Sequence, residues 1–215
     1  MNARDWERYK SRLSALDSLE YNYDEKIYHA AEDKSGWNID HYEAQLATEA
    51  PGPSVPDGPF AKAKKAIQLY QFPDPNLIRA VFEPERELSG RNMLLIAKFA
   101  GLSFYFGVRV AAVIDEVRKN KEGDDVQVWG YAYRTLKGHF EIGEIRFEVS
   151  KNMHSGVVSF EISAYSKPDR IHNPFYRVGF RVFSRPLQKY FATSSIRRLQ
   201  EIATGPTVQE HRVGT

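Results

Sequence analysis

Between Asn92 and Tyr165 the hydrophobic pattern leaves the helical period and stays strand-like through five consecutive segments. These are Leu94 and Ile96 with their neighbours, Leu102 to Val117, Val126 to Leu136, Ile142 to Ser150, and Val157 to Tyr165. Their connections are short and rich in turn residues: Ala100-Gly101, NKEGDD, LKGHFEIGE and NMHSG. A parallel pair needs a crossover of about a dozen residues or more, so this spacing favours an antiparallel meander over a parallel α/β sheet. This feature narrows the possible folds more than any other in the chain.

The flanks are helical. DWERYKSRLSALDSLEY sets Trp6, Tyr9, Leu13 and Leu16 near one face, and FAKAKKAIQLYQ places Phe60, Ala63, Ile67 and Tyr70 at helical spacing. In FPDPNLIRAVFEP, Asp74 can cap and Pro75 can open a short helix over Asn76 to Phe82, which Pro84 stops. From Asn173 to Ala203 runs a long amphipathic helix, with a kink or restart expected at Ser184-Arg185-Pro186. SGWNIDHYEAQLATEAPGPSVPDGPF loses periodicity and gathers four prolines, which predicts a rigid connector rather than a helix or central strand. The expected architecture is α+β: a curved antiparallel sheet wrapped around a long C-terminal helix, preceded by an N-terminal helical and irregular extension. The expected divisions are an acidic extension at 1–57, a core domain at 58–203 and a loose tail at 204–215.

Composition removes several function classes. Without cysteine there is no disulfide, no thiolate metal site and no cysteine nucleophile, which is compatible with a reducing, cytoplasmic setting. The six histidines, at 29, 41, 139, 154, 172 and 211, make no HExxH or i, i+4 pair, so no metal is expected. There is no GxSxG, Walker or dinucleotide fingerprint, and no cofactor is expected. The N-terminus lacks an apolar core of signal-peptide length. Met93 to Ile114 has the length of a membrane span but contains Lys98 and Arg109, and two strands turning at Ala100-Gly101 account for it better.

Charge is unevenly distributed. Residues 1–57 hold six Lys/Arg against twelve Asp/Glu, whereas 167–198 hold eight against Asp169 alone. Arg177, Arg181, Arg185 and Lys189 recur every four residues and form a basic ridge on the last helix. A solvated helix face, docking onto the acidic N-terminal region, and a protein-interaction surface are all open readings of it. Nucleic-acid binding is disfavoured by the chain pI of 8.6 and by the few exposed aromatics among these cations.

Several stretches carry a resemblance: GRNMLLIAKFAGLSFYFGVRV, WGYAYRTLKGHFEIGEIRFEV, VSFEISAYSKP and NPFYRVGFRVFSRPLQKYFA. They resemble a bacterial and plant family known as a domain of unknown function, over about Pro53 to Leu199. RTLKGHFEIGE, from Arg134 to Glu144, is the most specific piece. That family is similar to the START and birch-pollen-allergen group, whose helix-grip fold closes a curved sheet around a long C-terminal helix. The resemblance implies that fold, and a wider group whose members bind lipids, hormones or polyketides or cyclise aromatic compounds. A helix-grip fold also implies an opening strand. None is clear in the sequence, and Trp37 to Leu46 and Phe60 to Gln71 are the places for it.

A cavity between such a sheet and its helix would take a hydrophobic or amphipathic small molecule. The lining pool is Phe99, Phe104, Phe106, Tyr131, Tyr133, Phe147, Phe160 and Tyr165, of which one parity per strand can face inward. Each strand has an apolar or small face and an aromatic-polar face. Either the polar faces are solvated, or Tyr131, Tyr133, Glu144, Arg146 and Glu161 enter the cup. Non-enzymatic binding is the leading expectation. The alternative is a cyclase or hydrolase using His139 with Glu144 or Glu161 as an acid–base couple.

Overall fold

A computed structural model describes the backbone of residues 3–30, 36–99, 101–168 and 174–206. Side chains are described from residue 6 onward within these ranges, except at 27, 29–30, 99 and 174–185. The chain begins with α1 (Ala3–Arg8), α2 (Lys10–Asp17) and α3 (Glu25–Ala30). Then come β1 (Asn38–Thr48), α4 (Pro59–Gln68), β2 (Ile78–Val81) and β3 (Asn92–Phe99). The remainder is β4 (Leu102–Lys119), β5 (Asp125–Thr135), β6 (Glu141–Asn152), β7 (Val157–Pro168) and α5 (Pro174–Thr204). All seven strands form one antiparallel sheet in the order β1-β7-β6-β5-β4-β3-β2, curved beneath the C-terminal helix. Register shifts between Gln45 and Ala47 and between Val110 and Ala112 insert single extra residues that bend their strands. Among the described residues no helix is long and apolar enough to cross a membrane.

The five expected strands are all present. Two other expectations are corrected. Trp37 to Leu46, read by its pattern as connector but named as one of two places for the implied opening strand, supplies β1, an edge strand paired with β7 from Asn38↔Ser166 to Thr48↔Val157. Its inward positions are Asn38, Asp40, Tyr42, Ala44 and Leu46, while apolar Ile39 points outward, 55% exposed. An edge strand with so mixed an inner face shows no clean alternation, which is why its period does not stand out. The expected Asn76–Phe82 helix lasts one turn. The Asp74 carboxylate accepts the Asn76 amide at 2.8 Å and its carbonyl accepts the amides of Leu77 and Ile78, after which Ile78–Val81 pairs with β3 as β2. Pairing wins because Val81 is buried on one sheet face and Ala80 on the other, which suits a strand better than a short helix.

Two cores sandwich the sheet. The inner core joins α4, α5 and the sheet through Phe60, Phe72, Tyr131, Phe147, Phe160 and Leu199 among others. The outer core packs Tyr9, Leu13 and Leu16 of the N-terminal segment against Val81, Leu94, Ile96 and Leu136. Burial on both faces explains the unbroken apolar run Met93–Ile96, all of it buried. Gly107 admits α2 to this face: a Cβ there would stand 2.6 Å from Leu16 Cδ2. The 31-residue α5 runs through Pro186 without a restart, its later half anchored by Ala192, Leu199 and Ala203 in the inner core.

The acidic head finds cations on β5 and in the loops that join the strands. Asp17 meets Arg86 at 2.8 Å, Glu20 meets Lys137 at 2.6 Å, and Glu25 meets Arg134. The side chains of Arg177, Arg181 and Arg185 lie outside the described residues, and Lys189 is exposed.

The proline-rich segment after β1 is tied down by one buried ion pair. Lys151 is fully buried, 2.7 Å from the Glu49 carboxylate and 2.9 Å from each of the carbonyls of Ala50 and Pro53. Lys151→Ala would strand the Glu49 charge and leave both carbonyls unsatisfied. A loss of about 3–5 kcal/mol is expected by urea denaturation, and a loss below ~1 kcal/mol would show that the pair does not anchor the segment.

Candidate functional site: a cavity between sheet and helix

In an antiparallel sheet, directly paired residues share a face. Tyr131 pairs with Phe147, and Phe147 with Ile162; Tyr133 pairs with Ile145, and Ile145 with Ala164. The aromatic parity of β5 and the apolar parities of β6 and β7 therefore face the same way, towards α4 and α5. Phe104 and Phe106 join them through their partners Ala97 and Leu95.

Above this face lies a cavity of about 710 Å³, within the range of small-molecule sites. Its walls are Leu95 and Ala97 of β3, Phe104 and Phe106 of β4, Tyr133 of β5, Ile145 of β6, and Ile162 and Ala164 of β7. Among the described residues, α5 contributes Leu187, Gln188, Phe191 and Ala192, and Tyr70 comes from the end of α4. One end is polar. There the β5–β6 hairpin brings Thr135, His139, Glu141 and Gly143 to the wall. Gly143 is required by close approach, since a Cβ would stand 2.2 Å from the Tyr165 carbonyl oxygen.

The candidate lining residues divide into groups. Phe104, Phe106, Tyr133 and Tyr165 line the cavity. Tyr131, Phe147 and Phe160 face the same way but are fully buried in the packed core, away from the lining. Phe99 ends β3, and its side chain lies outside the described residues. Tyr165 has the outward parity and belongs to an aromatic cluster under the N-terminal segment. It stacks on Tyr28 at 3.7 Å between ring centroids, and its hydroxyl is 3.0 Å from that of Tyr23.

Of the polar candidates, Glu144, Arg146 and Glu161 take the outer parity, and only Glu144 reaches the lining. The Glu144 carboxylate accepts from Arg134 Nε at 2.7 Å, with Arg146 at 3.8 Å. Glu161 accepts from Ser163 at 2.5 Å and lies 3.5 Å from His41. His139 Nδ1 is 3.0 Å from both the amide nitrogen and the carbonyl oxygen of Glu141, so the ring folds back on its own turn. It packs against Phe106 and Phe140 at 5.0 and 4.7 Å between centroids. Both His139 and Glu144 reach the cavity edge, but Glu144 is committed to Arg134. Among the described residues no His, Asp and Glu side chains gather as a metal-ligand set.

Sequence reasoning missed Tyr70, Thr135, Ala164 and Phe191, and also Asp40 and Tyr42 of β1, which line the cavity too. Tyr70 carried a signal, since it ends the helical pattern beginning at Phe60. The β1 residues carried none beyond the strand implied by the resemblance.

The tyrosines facing the helices are held in their neutral form. Burial raises Tyr70 and Tyr131 well above the ordinary phenol value and pushes Tyr133 from 10.0 up to about 12. Above pH 10 the unfolded chain gives up these protons first and so binds fewer than the folded one. The stability contribution of Tyr133 is complete below pH 10 and is lost as pH rises towards 12. Urea titrations at pH 9 and pH 11 are expected to show a fall in stability that Tyr133→Phe reduces. An equal fall in the variant would show that Tyr133 is not shielded.

No curated protein matches the sequence. Among solved structures, a protein from Chromobacterium violaceum is 15% identical with a TM-score of 0.43, covering 79% of this chain and 99% of its own. The major latex-like protein of Panax ginseng is 11% identical with a TM-score of 0.41, covering 80% and 100% respectively. A Thalictrum norcoclaurine synthase is 8% identical with a TM-score of 0.41, covering 77% and 95%. None of these transfers a residue role, a ligand or an activity to this chain. Residues 22–198 match the profile of the domain of unknown function DUF1990, and the chain belongs to that family.

Proposed function

We propose that the protein binds a hydrophobic or amphipathic small molecule, without chemical turnover, in the cavity between the sheet and α5. The supporting observation is the cavity itself: about 710 Å³ between packed elements, walled by leucine, isoleucine, alanine, phenylalanine and tyrosine, with polar groups gathered at the hairpin end. An apolar ligand entering it would leave water for an already formed surface, and burying its apolar area contributes roughly 25 cal/mol per Å². The polar end around Thr135, His139 and Glu141 would face the more hydrophilic part of an amphipathic ligand.

A catalytic reading has less support. Both carboxylates that could pair with His139 are engaged elsewhere, Glu144 by Arg134 and Glu161 by Ser163 and His41.

Native mass spectrometry of the purified protein should show a reproducible added mass that denaturation releases. Ala164 lines the cavity from β7, so Ala164→Phe fills part of it. The variant is expected to bind an apolar naphthylamine dye at least about tenfold more weakly while its melting temperature changes little. Wild-type protein that takes up neither dye nor copurified ligand would refute the proposal.

A further inference from the structure

Three phenol hydroxyls collect where the end of α4 meets β5. Tyr70 and Tyr133 both line the cavity, and their oxygens stand 3.5 Å apart. Tyr131 lies two positions from Tyr133 on the same strand face, fully buried, and its hydroxyl has no hydrogen-bond partner.

Counting donors exposes an imbalance. Two hydroxyls carry two hydrogens, and the bond between them uses one. Among the described residues neither Tyr70 nor Tyr133 has a further side-chain partner. Rings crowd the pair: Tyr70 is flanked by those of Phe72 and Phe147 at 5.2 and 6.3 Å, and the Tyr131 hydroxyl accepts from neither phenol. A buried donor left without an acceptor is costly, and native proteins keep such groups rare. Tyr70 also adopts a left-handed backbone conformation, φ 53°, which a non-glycine residue adopts only when its surroundings enforce it. An unfavourable backbone thus holds an under-used donor at the wall of a cavity.

The charges nearby restrict what could accept that hydrogen. Buried Arg91 is turned to the carbonyls of Arg86 and Gln68 and to the ring of Phe82, and Lys98, which lines the cavity, is exposed. An ionised carboxylate placed among these rings would find the buried Arg91 guanidinium already bonded to those carbonyls, so its charge would be poorly compensated. An ammonium group would bring more donors to a site that already has too many.

We propose that Tyr70 and Tyr133 form the polar anchor of the cavity and take the neutral carbonyl oxygen of an otherwise apolar ligand. This rests on the small-molecule reading above and adds the ligand's chemistry: its carbonyl is held near α4, and any further polar group faces the hairpin end.

The test uses the full chain and two probes of nearly the same shape, 2-acetylnaphthalene and 2-ethylnaphthalene, followed by equilibrium dialysis. The wild type is expected to bind the ketone about tenfold more tightly, as one well-made buried hydrogen bond would produce. In the Tyr70→Phe/Tyr133→Phe double variant that preference should vanish while affinity for the hydrocarbon holds. The infrared carbonyl stretch of the bound ketone should lie lower in the wild type than in the variant. If the double variant fails to fold, judged by circular dichroism, Tyr133→Phe alone and the wild-type carbonyl frequency decide. Equal binding of both probes by the wild type overturns the anchor and leaves the cavity reading standing. Binding of neither overturns both.

Discussion

The antiparallel register of β5, β6 and β7 is the constraint on which the rest of the structure depends. Each strand alternates between two chemically different faces, and pairing alone decides which faces coincide. With Tyr131 opposite Phe147 and Tyr133 opposite Ile145, aromatic rings from β5 and apolar side chains from β6 and β7 share one surface. A slip of one residue would bring Arg134 and Glu144 to the helix side, where burying their charges would be costly. The register builds the inner core, and the cavity occupies the space above it that α5 spans without filling.

The opposite sheet face is not a simple solvent surface. The N-terminal segment covers it, with leucines of α2 over β3 and a series of polar contacts further along. Tyr21 bridges to Leu136, and the Asn22 side chain joins the Thr135 hydroxyl at 2.6 Å and the Glu141 carbonyl at 2.9 Å. Thr135 and Glu141 are also cavity-lining residues. The extension therefore supports from outside the same hairpin that closes the polar end of the cavity. Arg134 takes part in this: burial alone would lower its pKa, but the hydrogen bond and charge of Glu144 hold it above the ordinary value.

Much of this was readable in advance, and the exceptions share a cause. The strands from Asn92 to Tyr165 and the helices at Phe60 and Asn173 announce themselves because their burial is one-sided or continuous, which leaves a period in the sequence. β1 does not, since an edge strand with Asp40 inside and Ile39 outside has no clean alternation. β2 was obscured by a real capping signal at Asp74 that governs one turn before pairing with β3 takes over. Among the site residues, Phe104, Phe106 and Tyr133 were legible as aromatics on meander strands. Tyr131, Phe147 and Phe160 look the same in sequence, and only their depth beneath the packed helices separates them from the lining.

The sequence by itself determined the meander, the long final helix, the absence of thiol chemistry and the uneven distribution of charge, because these follow from local spacing and composition. Which parity faces the helices, that Glu144, Arg146 and Glu161 turn outward, and that Tyr70 meets Tyr133 were decided only by tertiary structure. Those facts depend on pairings between residues far apart in the chain. A strand's period of two records that it has two faces, and packing against the neighbouring strands and helices decides which one is inside.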